Sequence, residues 1–250
     1  MNLSALKIYA IFMVFSSLVF NSCTQDEGIG GNSHIKGLII EKFYNNDFSV
    51  FQYEAPAKDE DLFLIFGDEK VVGEKTSTSN SGQFAFNYLW PGNYQLYYFS
   101  DDTSIISPEQ IEMIYPIVLE RNQEFDLGTI YTYKALDWDE GFAKIRGKVM
   151  LINYKNTSQY PNLQIKDVSP AQEQEIYMTY NNAQFYTERI RTHSDGTFEF
   201  NHLLKGSYSI YVYSEDVITG KTEMVVKEVK IEITESEQSV VLNDIYIEKI

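Results

Sequence analysis

The chain of 250 residues carries 36 acidic against 20 basic side chains, a formal charge of −16, and a field of that sign repels nucleic acid and anionic head groups, which excludes nucleic acid as a partner. Its 19 Tyr and 16 Phe, with few alanines and no convincing 3.6-residue period, exclude a helical fold and predict an all-β protein. The single cysteine excludes an internal disulfide.

Residues 1–22 carry one early charge, Lys7, and then an uncharged run from Ile8 to Phe20. That run is too short to span a bilayer and has the length of a secretory signal core, so 1–22 are expected to be removed, leaving a mature charge of −17. Phe20-Asn21-Ser22 before Cys23 resembles a bacterial lipobox, which implies Cys23 as the acyl acceptor and a membrane partner reached through a lipid anchor. Asp26 and Glu27 just after it resemble the signal with which Bacteroidota send lipoproteins to the outer face of the outer membrane. Display toward the exterior is expected, with the periplasmic face as the alternative. The polar, Gly-rich stretch that completes 23–33 reads as a flexible tether.

A first β-domain is expected over 34–134. It opens with His34 to Ile40, continues through Leu62 to Phe66, and then alternates Phe84 and Phe86 with small or polar neighbours, the period of a strand with one face buried. Leu89 and Pro91-Gly92 punctuate the chain before a second aromatic run, Tyr94 to Phe99, so 81–102 read as a hairpin with Gly92 at positive φ. Residues 135–143, with Asp137 to Gly141, read as a linker. The second domain, 144–250, writes the same unit again: Lys144 to Leu151 repeats the opening at an offset of 110, and Asp195 to Asp216 repeats the hairpin at 114. Phe198, Phe200, Leu203, Gly206 and Tyr208 stand at the marked positions. The closing strands, Phe125 to Tyr131 and Val240 to Tyr246, are offset by 115, the drift expected of duplication plus loop insertion. Leu163 to Ile165 sit where Leu62 to Phe66 sit in the first copy, and Glu175 to Arg191, a Tyr-rich strand or hairpin, reads as an addition peculiar to the second.

The Ser/Asp-Gly, aromatic alternation and Leu-x-x-Gly-x-Tyr pattern, carried by Gly82, Phe84, Phe86, Leu89, Gly92 and Tyr94 and by Gly196, Phe198, Phe200, Leu203, Gly206 and Tyr208, resembles the carboxypeptidase regulatory-like domains. That resemblance implies two tandem antiparallel β-sandwiches of Ig-like or transthyretin-like topology. Fibronectin type III domains use a similar corner, in which the Tyr hydroxyl bonds back to the main chain. No zinc-peptidase motif accompanies the pattern, so no peptidase activity is implied.

No catalytic constellation stands out: His34, His193 and His202 lie outside any recognisable motif, and no enzyme is expected. Asp137, Asp139 and Gly141 imitate an EF-hand start, but Lys148 stands where the closing Glu is required. Asp101-Asp102 and Glu215-Asp216 recur at one loop of each copy and are the candidate Ca²⁺ ligands, against the reading of solvated turn acids; no other cofactor is expected. Lys42 lies five residues after Gly37 while the second copy has Ile152 there, so the Lys-Asn isopeptide link of pilin-like sandwiches is not expected. Candidate ligand-binding aromatics are Tyr177, Tyr180, Phe185, Tyr186 and Trp90. The expectation is a non-catalytic, lipid-anchored extracellular binding or adhesion module meeting a protein or glycan through 177–186. The alternatives are a structural spacer or accessory subunit of a surface assembly, a glycan-binding component of polysaccharide uptake, or an enzyme.

Overall fold

The computed structural model describes residues 26–105, 109–219 and 224–250, and the regular structure in them is all β. In the first repeat β1 (Ile29–Asn45), β2 (Phe51–Pro56), β5 (Gln83–Leu89) and β8 (Glu124–Leu136) form one sheet, ordered β2-β1-β5 with β8 also on β1. β3 (Asp61–Phe66), β4 (Val72–Ser77), β6 (Gly92–Asp101) and β7 (Gln110–Leu119) form another, ordered β4-β3-β6-β7. The second repeat follows the same plan. β9 (Ala143–Tyr154) pairs with β10 (Ile165–Pro170), β13 (Thr197–Leu203), β16 (Ser239–Val241) and β17 (Ile245–Lys249). β11 (Glu175–Tyr180), β12 (Glu188–Arg191), β14 (Gly206–Glu215) and β15 (Met224–Ile233) run in the order β12-β11-β14-β15.

The aromatic alternation does what its period predicts. Phe84, Phe86, Tyr94, Leu96 and Tyr98 are buried in one core, and Phe198, Phe200, Tyr208, Ile210 and Val212 in another. The connection between the two strands, however, is an arch rather than a hairpin. β5 pairs with β1 while β6 pairs with β3, in the other sheet, and β13 and β14 divide in the same way. The reason is local backbone geometry. Tyr88 and His202 both stand at φ +59°, and Gly92 and Gly206 at +157° and +142°, so each corner is twice driven out of strand conformation. Tyr94 then donates its hydroxyl proton to the Trp90 carbonyl at 2.7 Å and Tyr208 to that of Leu204 at 2.8 Å, fixing the chain as it crosses the core.

Two further parts of the organisation differ from expectation. The stretch read as tether is strand from Ile29 onward, and its lead-in is tied down: Trp90 N–H donates to the Gly28 carbonyl, and the Glu27 carboxylate accepts from Asn93 N–H. The presumed linker does the same in the second repeat, where Leu204 N–H donates to the Trp138 carbonyl and Gly141 N–H to that of His202. Gly28 to Gly31 and Trp138 to Gly141 are therefore equivalent, and the duplicated unit begins before either expected boundary.

Nor is the Tyr-rich segment an insertion. β11 occupies the place of β3, and the match is held by a repeated lock: Thr78 donates to the Ala57 carbonyl and accepts from Glu60 N–H, as Thr192 does with Ala171 and Gln174, with both donated bonds at 2.5 Å. The offset is 114 at each of these pairs but 110 at Ile39 and Val149, whose carbonyls accept from Ala57 and Ala171. The added residues thus lie between β9 and β10, and β10 is the equivalent of β2.

The chain divides into two compact units that cut across the repeats. One takes in the described residues through Ile39, with Ala57–Tyr98 and Glu112–Ile130; the other takes in Ile40–Pro56, Phe99–Ile111 and Tyr131–Ile250. Inside the second unit Phe43 and Tyr53 stack at 4.5 Å and pack against its core. Gln52 accepts from Lys205 N–H at 2.8 Å and donates to the Lys205 carbonyl at 3.2 Å.

Candidate functional site

Strand alternation sorts the tyrosines of the second repeat into two sets. Tyr180 and Tyr208 point inward. Tyr180 is 8% exposed and donates to the Lys205 carbonyl at 2.9 Å, and burial raises both hydroxyls well above the ordinary phenol range, keeping them protonated donors. Tyr180 was expected among the ligand-facing aromatics; the even position it holds on β11 assigns it to the core instead.

Tyr177, Tyr211 and Tyr213 take the outward phase of the same sheet. Tyr177 lies directly opposite Tyr211, their rings stacked with centroids 5.2 Å apart and planes 11° apart. Tyr213 meets Tyr177 edge-on at 5.5 Å, and Tyr186, from the β11–β12 turn, does so at 5.4 Å. Tyr186 remains 51% exposed and Phe185 beside it 76%. The four tyrosines form a continuous aromatic face, and β11 and its neighbour β12 supply its polar margin. Glu175 accepts from the Tyr177 hydroxyl at 2.7 Å and pairs with Arg189 at 3.3 Å and Arg191 at 3.2 Å. The Tyr177 hydroxyl, and after it the Arg191 guanidinium, hold the Glu175 carboxyl below its usual range. The same bond to Glu175 raises Tyr177. Glu173, Gln174, Glu175, Arg191, Tyr213 and Met224 help to line an open cleft of about 650 Å³ beside the rings.

This arrangement can present aromatic surface together with paired donors and acceptors, which suits recognition. Of the expected residues, the structure brings Tyr177 and Tyr186 together and leaves Phe185 exposed at the turn. Tyr211, Tyr213, Glu175, Arg189 and Arg191 were not singled out from the sequence, although Tyr211 and Tyr213 alternate with Ile210 and Val212, and that phase marks them as outward-facing. Trp90 is elsewhere, half-buried at the corner of the first repeat, where a side chain on Gly30 would meet its indole nitrogen at 3.1 Å.

The acidic pairs are already engaged by the main chain. Asp101 accepts from Ala135 N–H, Asp102 from Ser104, Glu215 from Ile250 N–H, and Asp216 from Ile218 and Thr219. Among the described residues no group of three or more His, Cys, Asp or Glu stands close enough to hold a metal ion. His193 closes the turn before β13 through its main chain, and His34 faces the Asn87 side chain at 3.0 Å. Cys23 and the signal segment lie outside the described residues, and in those described no helix is long and apolar enough to cross a membrane.

No family model matches the chain, and no curated protein does. Among solved structures it is similar to a minor pilin of Streptococcus agalactiae, 11% identical over 87% of this chain and 96% of the pilin, TM-score 0.32. It is also similar to a shaft pilin of Lactobacillus rhamnosus, 8% identical over 87% and 98%, TM-score 0.26. A candidate carbohydrate-binding protein of Bacteroides uniformis is 10% identical over 82% and 100%, TM-score 0.21.

Proposed function

We propose that this is a non-catalytic cell-envelope lipoprotein, held by a lipid on Cys23 at the outer membrane and turned to the exterior, that acts as a binding or adhesion module through the tyrosine face of its second repeat. The observation that supports this most is the mutually oriented set Tyr177, Tyr186, Tyr211 and Tyr213, with Tyr186 and Tyr213 exposed and Tyr177 and Tyr211 half-buried, and its Glu175–Arg189–Arg191 margin. Rings and guanidinium groups of this kind concentrate binding energy at recognition surfaces.

The joint substitution Tyr186→Ala and Tyr213→Ala tests the binding reading. Both side chains are exposed, so thermal unfolding is expected to stay within a few degrees of wild type, because such cross-strand ring pairs contribute only roughly 0.2–1 kcal/mol each. Retention on an array of polysaccharides and extracellular-matrix proteins is expected to fall at least tenfold. Equal retention of the variant and the wild type would sink the assignment.

Anchoring is tested separately. Cys23→Ala is expected to move the protein from the membrane fraction to the soluble fraction and to abolish labelling by palmitate, since buried acyl chains supply about 0.8 kcal/mol of membrane affinity per CH₂. A variant that still sediments with membranes and still labels would remove the lipid from the reading.

A structural spacer is the second reading. Its support is the hydrogen-bonded seat of Gln52 on the Lys205 main chain and the Phe43–Tyr53 stack against the larger core.

A further inference from the structure

The corner of the first repeat at Leu89 to Gly92 is clasped to the chain that leads from the proposed anchor. The Glu27 carboxylate accepts from Asn93 N–H at 3.1 Å, Gly28 N–H donates to the Tyr94 hydroxyl at 3.1 Å, and Trp90 N–H donates to the Gly28 carbonyl at 2.8 Å. The Asn93 N–H holds the Glu27 carboxyl below its usual range, so the clasp is closed at neutral pH. Cys23 stands four residues before Glu27. An extended chain reaches about 3.6 Å per residue, so Glu27 lies at most about 14 Å from an acylated Cys23, and a head-group layer of roughly 5–8 Å takes up part of that distance. Apolar side chains are exposed around the clasp. Ile29 lies across from Leu89, the residue between Tyr88 and Trp90. Ile29 and Tyr88 are each more than half exposed, and Trp90 is half-buried. The second repeat serves as the internal comparison, since it makes the same corner with the same positive φ at His202. There the exposed Asp139 and His202 and the buried Leu204 stand in place of Ile29, Tyr88 and Trp90. The fold therefore does not require apolar groups at the surface of this corner, and the copy next to the anchor is the one that has them.

From this we infer that the corner is a membrane-contact surface: the anchored protein rests its first repeat on the lipid head groups, with Ile29, Tyr88 and Trp90 as interfacial anchors. The inference rests on the lipid-anchor reading of Cys23 given above. Tyr and Trp join an apolar ring to a polar tip and favour the boundary between hydrocarbon and water. A short reach between acyl chains and clasp leaves the corner no room to stand clear of that boundary. Asp26 is exposed beside the clasp, and so are Asp68 and Glu69, whose turn is joined to the corner by Gly67 N–H donating to the Asn93 carbonyl at 2.8 Å. These carboxylates keep the contact at head-group depth, and they make a zwitterionic lipid surface the suitable one.

The test uses the acylated full chain carrying Trp138→Phe, which leaves Trp90 as the single tryptophan, reconstituted in phosphatidylcholine vesicles. Lipids brominated near the head group are expected to quench Trp90 emission at least twofold in protein that sediments with the vesicles. A flexible Gly/Ser spacer of about twelve residues between Thr24 and Gln25 separates contact from mere reach. The spacer chain is expected to keep at least half of the quenching, because the corner has membrane affinity of its own. Adding Ile29→Ser and Tyr88→Ser to the spacer chain is expected to reduce that quenching at least threefold. Both side chains are exposed, so thermal unfolding is expected to stay near that of the parent and to show that the loss is not unfolding. Sedimenting protein without quenching, quenching abolished by the spacer alone, or quenching kept after the two serine substitutions would overturn the contact surface. Each of those results leaves the lipid anchor intact and this end free for a protein partner. Failure of the parent chain both to sediment with the vesicles and to label with palmitate would overturn the anchor, and the contact surface with it.

Discussion

Phe200→Ala is expected to lower stability by about 3–5 kcal/mol, measured by chemical denaturation. The side chain is 1% exposed, packs edge-on to Phe198 at 6.0 Å, and belongs to the core that also holds Ile145, Ile176, Tyr208 and Ile210. Phe200 pairs through its backbone with Ile145 on β9, so its ring stands where the two sheets of the repeat meet. Truncation removes apolar contacts with both layers at once, and a β-sandwich core has little freedom to collapse into the space. Phe86, at the equivalent position and 2% exposed, is expected to respond alike. A loss under about 1 kcal/mol would mean that the inward and outward faces of β13 are exchanged.

Gly141→Ala is expected to cost about 1–3 kcal/mol, toward the upper end, for a reason unrelated to burial of apolar area. A β-carbon at this position would lie 2.0 Å from the Leu203 carbonyl oxygen and 2.2 Å from its carbon, and these are main-chain atoms of a corner that cannot step aside. Gly31, the equivalent residue, meets the Leu89 carbonyl oxygen at 2.1 Å and is expected to behave in the same way. Gly128→Ala is the comparison. It stands at φ +74° with nothing within 4 Å of a β-carbon, so only the backbone preference for glycine is lost, roughly 1–2 kcal/mol. Thermal or denaturant unfolding that ranked Gly141→Ala as the mildest of the three would show that the lead-in to β9 does not pack on the corner.

That lead-in illustrates where reading along the chain stops. Gly28 to Ser33 is glycine-rich and Asp137 to Gly141 is acidic and ends in glycine, which locally signals tether or linker. Their role comes from a close approach of Gly31 to Leu89 and of Gly141 to Leu203, 58 and 62 residues away. A glycine needed for steric reasons and a glycine that provides flexibility look identical in sequence. The same holds for the arch between β5 and β6. Alternation shows which side chains of each strand face inward, but two strands lining one core from opposite sheets have the same pattern as two strands paired in one sheet. The positive φ at Tyr88 and His202, residues without a strong preference for that conformation, gave no advance sign.

The tyrosine face divides along similar lines. Tyr177 and Tyr186 were legible as aromatics in a polar setting, and Tyr180 was not separable from them by composition. Its burial follows from being three residues beyond Tyr177 on a strand, an odd step that turns it to the other face. Tyr211 and Tyr213 come from β14, distant in sequence, and they join Tyr177 and Glu175 of β11 and Arg189 and Arg191 of β12 only when β11 is placed between β12 and β14.

By itself, then, the order of amino acids determined that this protein is all-β, that it is built from one unit written twice, and which residues of the repeated strands fill the two cores, because period-2 alternation and a pattern recurring at offsets of 110 to 115 are properties of the chain alone. Tertiary structure decided where each unit begins, which strands share a sheet, and which aromatics meet on the outer face. Those depend on hydrogen-bond register between segments far apart in sequence, and a register shift of one residue exchanges a buried ring for an exposed one without altering a single local propensity.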